Sequence, residues 1–232
     1  MSFKQIFGQE QPKQIIKNAL QNSSLAHAYL FYGQESIGKK LIAFELAKTL
    51  NCTSIFDGEA CDECSSCKKI ENRIHPDFFY IEPTKNTPTA REATIKIEVI
   101  RELQRKLAFQ PYEGKVKVAV IDDADLMNSQ AANSFLKTLE EPPSATIIIL
   151  ISSHPFKLLP TILSRCQTIL FQSLTPENVR KILKEKINEE TIEENTLEFR
   201  ALRSRGNVNR ALKDNIEDIA NIRGEMVNLL EI

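Results

Sequence analysis

The stretch "AYLFYGQESIGKKLIAFELAKTLNC", Ala28 to Cys52, decides how the rest of the chain is read. A short apolar run, Tyr29 to Tyr32, leads straight into Gly33. The loop "GQESIGKK", Gly33 to Lys40, follows. Leu41, Phe44, Leu46 and Ala47 then recur at helical spacing and predict a helix with a broad apolar surface. Strand, glycine-bearing loop and helix form the context in which backbone N–H groups cradle a phosphate at a helix N-terminus. Gly33, Gly38 and Lys39 fit that scheme. The pattern G-x-x-x-x-G-K-[ST] asks for a hydroxyl in its last place to hold Mg²⁺. Here that place is Lys40, which brings a positive charge toward the metal position instead. On this segment alone, an ordinary turn is the competing reading.

Farther along, "VKVAVIDDAD" predicts a strand over Val116–Ile121 with acids at its carboxyl end. Asp122 is placed to hold Mg²⁺ through water. The position that would polarise an attacking water carries Asp123, one methylene shorter than glutamate, and misplacement by about 1 Å can cost about 10²-fold. Asp125 reads as a solvated third acid. "ATIIILISS", residues 145–153, is near-continuously apolar, as in a strand covered on both faces. Ser152 and Ser153 end it, where they can touch a phosphate or simply cap the strand. "DFFYIEP" and "QTILFQ" supply two further strands, making five. Between them, helices are predicted from Ile15, Ile16, Ala19 and Leu20, and from Val99, Ile100, Leu103 and Leu107. Another is predicted from "SQAANSFLKTLEE", stopped by Pro142 and Pro143. Strands alternating with helices imply a doubly wound, mainly parallel sheet. Near "QSLTPENV" the pattern turns wholly helical, with Thr175 as a cap, Pro176 at the first helical position, and breaks at Gly206 and Gly224. The expected division is an α/β domain over residues 1–172 and a small helical domain over 173–232. "NTPTAREAT", residues 86–94, reads as a polar segment, either mobile or a cap.

"CTSIFDGEACDECSSC" spaces Cys52, Cys61, Cys64 and Cys67 as C-x8-C-x2-C-x2-C. Four thiolates at this spacing suit a closed, structural tetrahedral Zn²⁺ site; an iron–sulfur cluster is the alternative. His75 is superfluous beside four sulfurs and reads as local packing. His27 likewise reads as a packed residue, and Cys166 as a buried small hydrophobe. The formal net charge of -1 supplies no global field for nucleic acid. No apolar run approaches a membrane span, and the polar N-terminus "MSFKQIFGQEQ" lacks a signal peptide's apolar segment, so a cytoplasmic location is expected.

Taken with "FGQEQPKQIIKNAL", "LAHAYLFYGQESIGKK" and "LLPTILSRCQTILF", these motifs make the chain resemble the bacterial DNA polymerase III clamp-loader subunits of the AAA+ class. The resemblance runs over about residues 3–175 and more weakly to about 220. It implies an AAA+ P-loop-type sheet with a zinc-binding insertion, followed by a helical lid. It places Ile6–Gln9 near an adenine pocket, Gly33–Lys40 as Walker A, Asp122 and Asp123 as Walker B, and Ser152 or Ser153 as sensor 1. It also makes Arg165, in "LSRC", an arginine offered in trans to a neighbour's ATP. An intrachain salt bridge to Glu140 or Glu141 is the alternative for that residue.

Four departures from the active pattern stand out: Ser36 for glycine, Lys40 for serine or threonine, Asp123 for glutamate, and Asn209 where a second sensor arginine is expected. Arg210 is one residue out of register. The departures leave ATP and Mg²⁺ as doubtful cofactors and favour the delta prime branch over the ATP-hydrolysing gamma/tau branch. The implied partners are the other clamp-loader subunits (gamma/tau and delta) in a hetero-pentamer, and through it the sliding clamp and primer-template DNA, with no membrane. The family's third, collar-forming domain has little sequence left after residue 220, so truncation is the expectation, with a shortened natural homologue as the alternative. A zinc-bearing interaction module unrelated to replication is the remaining alternative.

Overall fold

The computed structural model describes residues 3–85, 93–187 and 194–213. Parts of the polar segment 86–94 and of the terminal helical stretch, Gly224 included, lie outside them. Contacts divide the chain into two compact units. The first comprises Met1–Gly33 with Gly38–Phe171, and the second Gln34–Ile37 with Gln172–Ile232.

The first unit is built on five strands: β1 (Ala28–Tyr32), β2 (Phe78–Ile81), β5 (Lys117–Ile121), β6 (Thr146–Ser152) and β7 (Gln167–Leu170). A two-residue ribbon, β3 (Thr84–Lys85) with β4 (Ala93–Thr94), lies apart from them. The main sheet runs in the order β2-β5-β6-β1-β7, and every pairing is parallel. The chain leaves β1, starts again at the far edge, and returns to flank β1 with β6. Strand order thus reverses beside β1, and ligands in such sheets bind outside the carboxyl ends of the strands at that point. Tyr32 lies level with Ser152, and Ile121 with Leu150. Gly33, Asp122 and Ser152 are therefore delivered to one end of the sheet.

All five residues of β5 and all seven of β6 are buried. Ala28, Leu30, Ala119, Ile121, Ile148 and Leu150 form one face, packed on α4 (Ile97–Leu107) and α5 (Ser129–Glu140) through Ile100, Leu103, Leu107, Phe135 and Leu139. Tyr29, Phe31, Val118, Val120 and Ile149 point the other way and are buried as completely. The continuous apolar run in β6 is explained by this double cover. Lys117 starts β5 inside the protein, and its Nζ donates to the carbonyls of Lys106 and Leu107, closing the end of α4 at 3.1 and 2.7 Å. α1 (Glu10–Gln21) buries Ile16 and Ala19, but Ile15 is exposed, so its apolar stripe is narrower than the spacing predicts. Leu41, counted with the apolar surface of α2 (Lys39–Asn51), is also exposed. The cap on α5 is Asn128, whose side chain accepts from Ala131 N.

A short helix, α6 (Pro160–Leu163), precedes β7. In the second unit, α7 (Pro176–Lys186) starts as expected, with Thr175 accepting from Asn178 N and Pro176 at the first position. α8 (Glu194–Arg203) and α9 (Val208–Lys213) follow. Gly206 separates them at φ 86°, and a Cβ there would lie 2.7 Å from the Leu174 backbone, so conformation and space both require glycine.

Candidate functional site

Gly38 ends the loop at φ 102° and caps α2. A side chain at Gly38 would meet only Ile6 Cγ2, at 3.8 Å, so backbone conformation rather than crowding selects the glycine. Ile6 thus lies close to the end of the loop. Ser36, where the family pattern has glycine, takes φ 58°, at a cost of about 1–2 kcal/mol. Gln34 and Ser36 belong with the second unit, where Ser173 donates to Gln34 Oε1 at 2.8 Å and Val208 N to the Ser36 carbonyl at 3.2 Å.

Lys39 is buried. Its Nζ donates to the Gly33 carbonyl at 2.6 Å and to Ser153 Oγ at 3.1 Å. The hydroxyl that meets the lysine is thus that of Ser153. Ser152 is fully buried and donates to Asp125 Oδ1 at 2.6 Å, while His154 N donates back to Ser152 Oγ at 3.0 Å. Asp125 was expected to be solvated. Its carboxylate is instead 4% exposed, and His154 Nδ1 approaches it at 3.4 Å. The correction follows from Ser152, which needs an acceptor inside the protein.

The acids after β5 are engaged. Asp122 Oδ2 accepts from the Tyr80 hydroxyl at 2.5 Å and lies 3.9 Å from Lys40 Nζ. Its Oδ1 accepts from Asp123 N at 3.2 Å. Asp123 itself sits at φ 45°, a left-handed conformation that aspartate tolerates better than most residues. Lys40 Nζ stands 4.4 Å from the Tyr80 ring centroid, and Arg73 Cζ 4.2 Å from it. Burial and then the Arg73 charge pull the Lys40 pKa below the usual lysine range, against the opposing pull of Asp122. Burial and the Asp122 carboxylate push the Tyr80 phenol up. The sequence supplied the charge of Lys40 but not its companions. Tyr80 is level with Val120 in the pairing of β2 with β5, two residues short of Asp122. That register is the signal that could have found it.

Arg165 follows α6. Its Nη2 donates to Glu140 Oε1 at 2.7 Å, and Nη1 to the Thr161 carbonyl at 2.9 Å and to Ser164 Oγ at 3.3 Å. The salt bridge named as the alternative is therefore present, with side chains 33% and 49% exposed. Asn209 and Arg210 are both exposed on α9. His75 is a packing residue. Buried, it accepts from Asp77 N at Nδ1, and its Nε2 lies 3.1 Å from Ser66 Oγ. His27 is exposed at the start of β1, contrary to expectation, because only its carbonyl enters the sheet, accepting from Ile148 N. Cys166 is half-buried against the core, and burial pushes its thiol up to about 12.

The four clustered cysteines converge. One Sγ from each of Cys52, Cys61, Cys64 and Cys67 lies within 4.8 Å of all the others. Cys52 caps the end of α2, and Cys64 caps α3 (Ser65–Glu71), accepting from Cys67 N. The Cys52–Cys61 and Cys52–Cys64 separations are 3.5 and 4.0 Å. A tetrahedral ion with bonds of ~2.3 Å sets its sulfurs about 3.8 Å apart, so the donors fit a metal ion. Backbone N–H groups of Ser54, Cys61, Cys64 and Cys67 point at the sulfurs, the arrangement that stabilises thiolates. Two lysines anchor the cluster to the helices before it. Lys17 of α1 reaches Glu59 at 2.7 Å, and buried Lys48 of α2 reaches Asp62 and, at 2.9 Å, Glu45.

A parallel sheet with a glycine-bearing loop after β1 and acids after β5 is the AAA+ P-loop-type fold. Solved structures share the fold. A DNA polymerase III gamma subunit-related protein of Thermotoga maritima matches with TM-score 0.55 and 24% identity, over 83% of this chain and 56% of that one. The RuvB Holliday junction branch migration motor of the same organism gives 0.59 and 16%, over 91% and 61%.

The chain belongs to the family described as DNA polymerase III, delta subunit, whose model matches residues 8–175. It is 38% identical over 172 residues to DNA polymerase III subunit delta' of Bacillus subtilis (strain 168), covering 74% of this chain and 50% of that protein. It is 40% identical over 141 residues to subunit delta' of Pseudomonas aeruginosa, covering 61% and 42%. Subunit tau of B. subtilis matches at 36% over 177 residues, covering 76% and 30%. The chain thus spans half or less of each of these three proteins. Among the described residues no helix is long and apolar enough to cross a membrane.

Proposed function

We propose that the chain acts as a delta prime-type subunit of a DNA polymerase III clamp loader, with a nucleotide site that does not hydrolyse ATP. The observation that carries this reading is the engagement of Asp122 by Tyr80 and Lys40. A carboxylate that must help hold Mg²⁺ instead accepts from a phenol and faces an ammonium. Asp123 is short by a methylene, and Lys40 offers no hydroxyl. Residues 1–172 would form the nucleotide-binding-like domain and 173–232 the helical lid. The cysteine cluster would hold one structural Zn²⁺, since four sulfurs complete a tetrahedral shell with no place for a reacting water.

In this reading the subunit contributes Arg165 to a neighbouring gamma/tau ATPase within the hetero-pentamer. Its planar fork offsets charge on the transferring phosphoryl group. The bond to Glu140 does not oppose this. An exposed ion pair contributes only about 0–1 kcal/mol, so a triphosphate can displace the carboxylate. Loading of the sliding clamp on primer-template DNA would be the collective result. The second reading, a hydrolysing gamma/tau-type subunit, draws on the comparable identity to subunit tau.

The test is reconstitution of the full-length subunit with its partner subunits. Arg165→Ala should leave assembly intact and lower clamp- and DNA-stimulated ATP hydrolysis severalfold or more, while Glu140→Ala should leave hydrolysis unchanged. Earlier melting in both variants with full hydrolysis per complex would make Arg165 structural.

A further inference from the structure

The amino ends of β2 and β5, opposite the nucleotide loop, carry a feature that the proposed function does not use. An open groove of about 920 Å³ runs between the start of these strands and the end of α4. Ile74, Phe109 and Tyr112 line it and are 70%, 74% and 86% exposed, although each is large and apolar enough to belong in a core. Scattered apolar residues on a surface need no explanation. Three around one concavity mark an interaction site.

The charges of the groove show what it would receive. Asp77 is buried and holds the loop by accepting from the backbone N–H groups of Tyr112, Glu113 and Gly114, at 2.7, 2.9 and 2.7 Å. Lys117 is committed to the end of α4. The rim is left with Arg105 and Lys106 against one acid, Glu102; Arg73 also lines the groove, but its guanidinium lies over the Tyr80 ring. Lys106 pairs with Glu102 at 2.7 Å, and Arg73 meets Glu82 at 3.5 Å. Arg105 makes no ion pair within 4.0 Å among the described residues, although its charge acts on Glu102; its Nε donates to the Arg101 carbonyl at 3.4 Å. The rim is thus positive and the floor apolar. A nucleic acid strand asks for a continuous cationic track and flat stacking faces. Phe109 and Tyr112 offer stacking faces, but the cations here are too few to form a continuous track. A short segment mixing carboxylates with bulky apolar side chains meets both features.

We propose that this groove docks an acidic, apolar peptide segment of a partner protein. Carboxylates would engage Arg105 at the rim, and an apolar side chain would settle among Ile74, Phe109 and Tyr112. Random nonapeptides displayed on phage test it, selected against the whole chain and counter-selected against a Phe109→Ser/Tyr112→Ser/Arg105→Glu variant. All three side chains are exposed, so the variant should keep its melting temperature and metal content; if it does not, Tyr112→Ser alone serves. Enriched peptides should combine Asp or Glu with Leu, Ile or Phe. A synthesised member should bind saturably by fluorescence anisotropy. Arg105→Glu should weaken it about tenfold, and replacing its acids by lysine should abolish binding. Failure to enrich, enrichment of acid-free peptides, or affinity indifferent to Arg105→Glu would overturn the proposal. So would oligothymidylate binding, or self-association of the chain, that is lost in the triple variant.

Discussion

The cysteine cluster and the nucleotide loop are both sites assembled from loops at the ends of α2, and they differ in where their partners come from. The cluster draws all four donors from Cys52–Cys67, a span of sequence short enough to specify its own geometry. The nucleotide end of the sheet draws on residues after β1, β5 and β6, and two of its acids already have partners within the protein: Asp122 has Tyr80 and Lys40, and Asp125 has Ser152. One site is a set of donors directed at a common centre. The other is a set of groups satisfied by one another. The motif spacing alone does not reveal that difference.

The largest expected effect lies on the cysteine side. On the zinc reading proposed above, the unmodified chain should carry one equivalent of zinc and Cys64→Ala less than a tenth, with the segment 52–67 unfolding, because metal binding and local folding are then the same free energy. The sheet should persist, and elemental analysis with hydrogen exchange checks both parts. Loss of the sheet as well would show that the cluster is not a separable module.

Lys48→Met asks how firmly that module is tied to α2. Lys48 is buried between Glu45 and Asp62, and removing one member of a buried ionic set typically costs about 3–5 kcal/mol. Denaturant unfolding should show a loss of that order, with zinc retained. A loss below about 0.5 kcal/mol would reduce the network to surface pairing.

How much of this was legible in the sequence follows from the same contrast. The five strands, the cysteine spacing and the cap at Thr175 are local patterns, and each was readable from neighbours in the chain. Tyr80 was not, because its role depends on β2 pairing in register with β5, forty residues away. Asp125 was misjudged for a related reason: polarity predicts solvent, but Ser152 on another strand supplied a buried partner. His27 erred the other way, since proximity to an apolar strand does not bury the residue just before it.

A smaller effect separates the two regions by pH. Burial pushes the Glu45 carboxyl up to about 7, against the pull of Lys48, from an ordinary value of 4.5. The folded chain therefore holds a proton on Glu45 that the unfolded chain releases. This group's contribution is full below about 4.5, declines as pH rises toward 7, and is flat above. Unfolding free energies at several pH values should show that slope, and Glu45→Gln should remove it. An unchanged slope would assign it to other groups.

The central claim is that Asp122 is engaged by Tyr80 and Lys40 rather than poised for Mg²⁺. Titration of fluorescent ATP into the purified chain, with and without Mg²⁺ and with phosphate release followed in the same samples, tests it most directly. The account predicts no gain in affinity from Mg²⁺ and release at background. It also predicts that Tyr80→Phe with Lys40→Ser introduces a Mg²⁺-dependent gain without turnover, because Asp123 stays short. Tight Mg²⁺-dependent binding and steady turnover in the unmodified chain, abolished by Lys39→Ala, would contradict it.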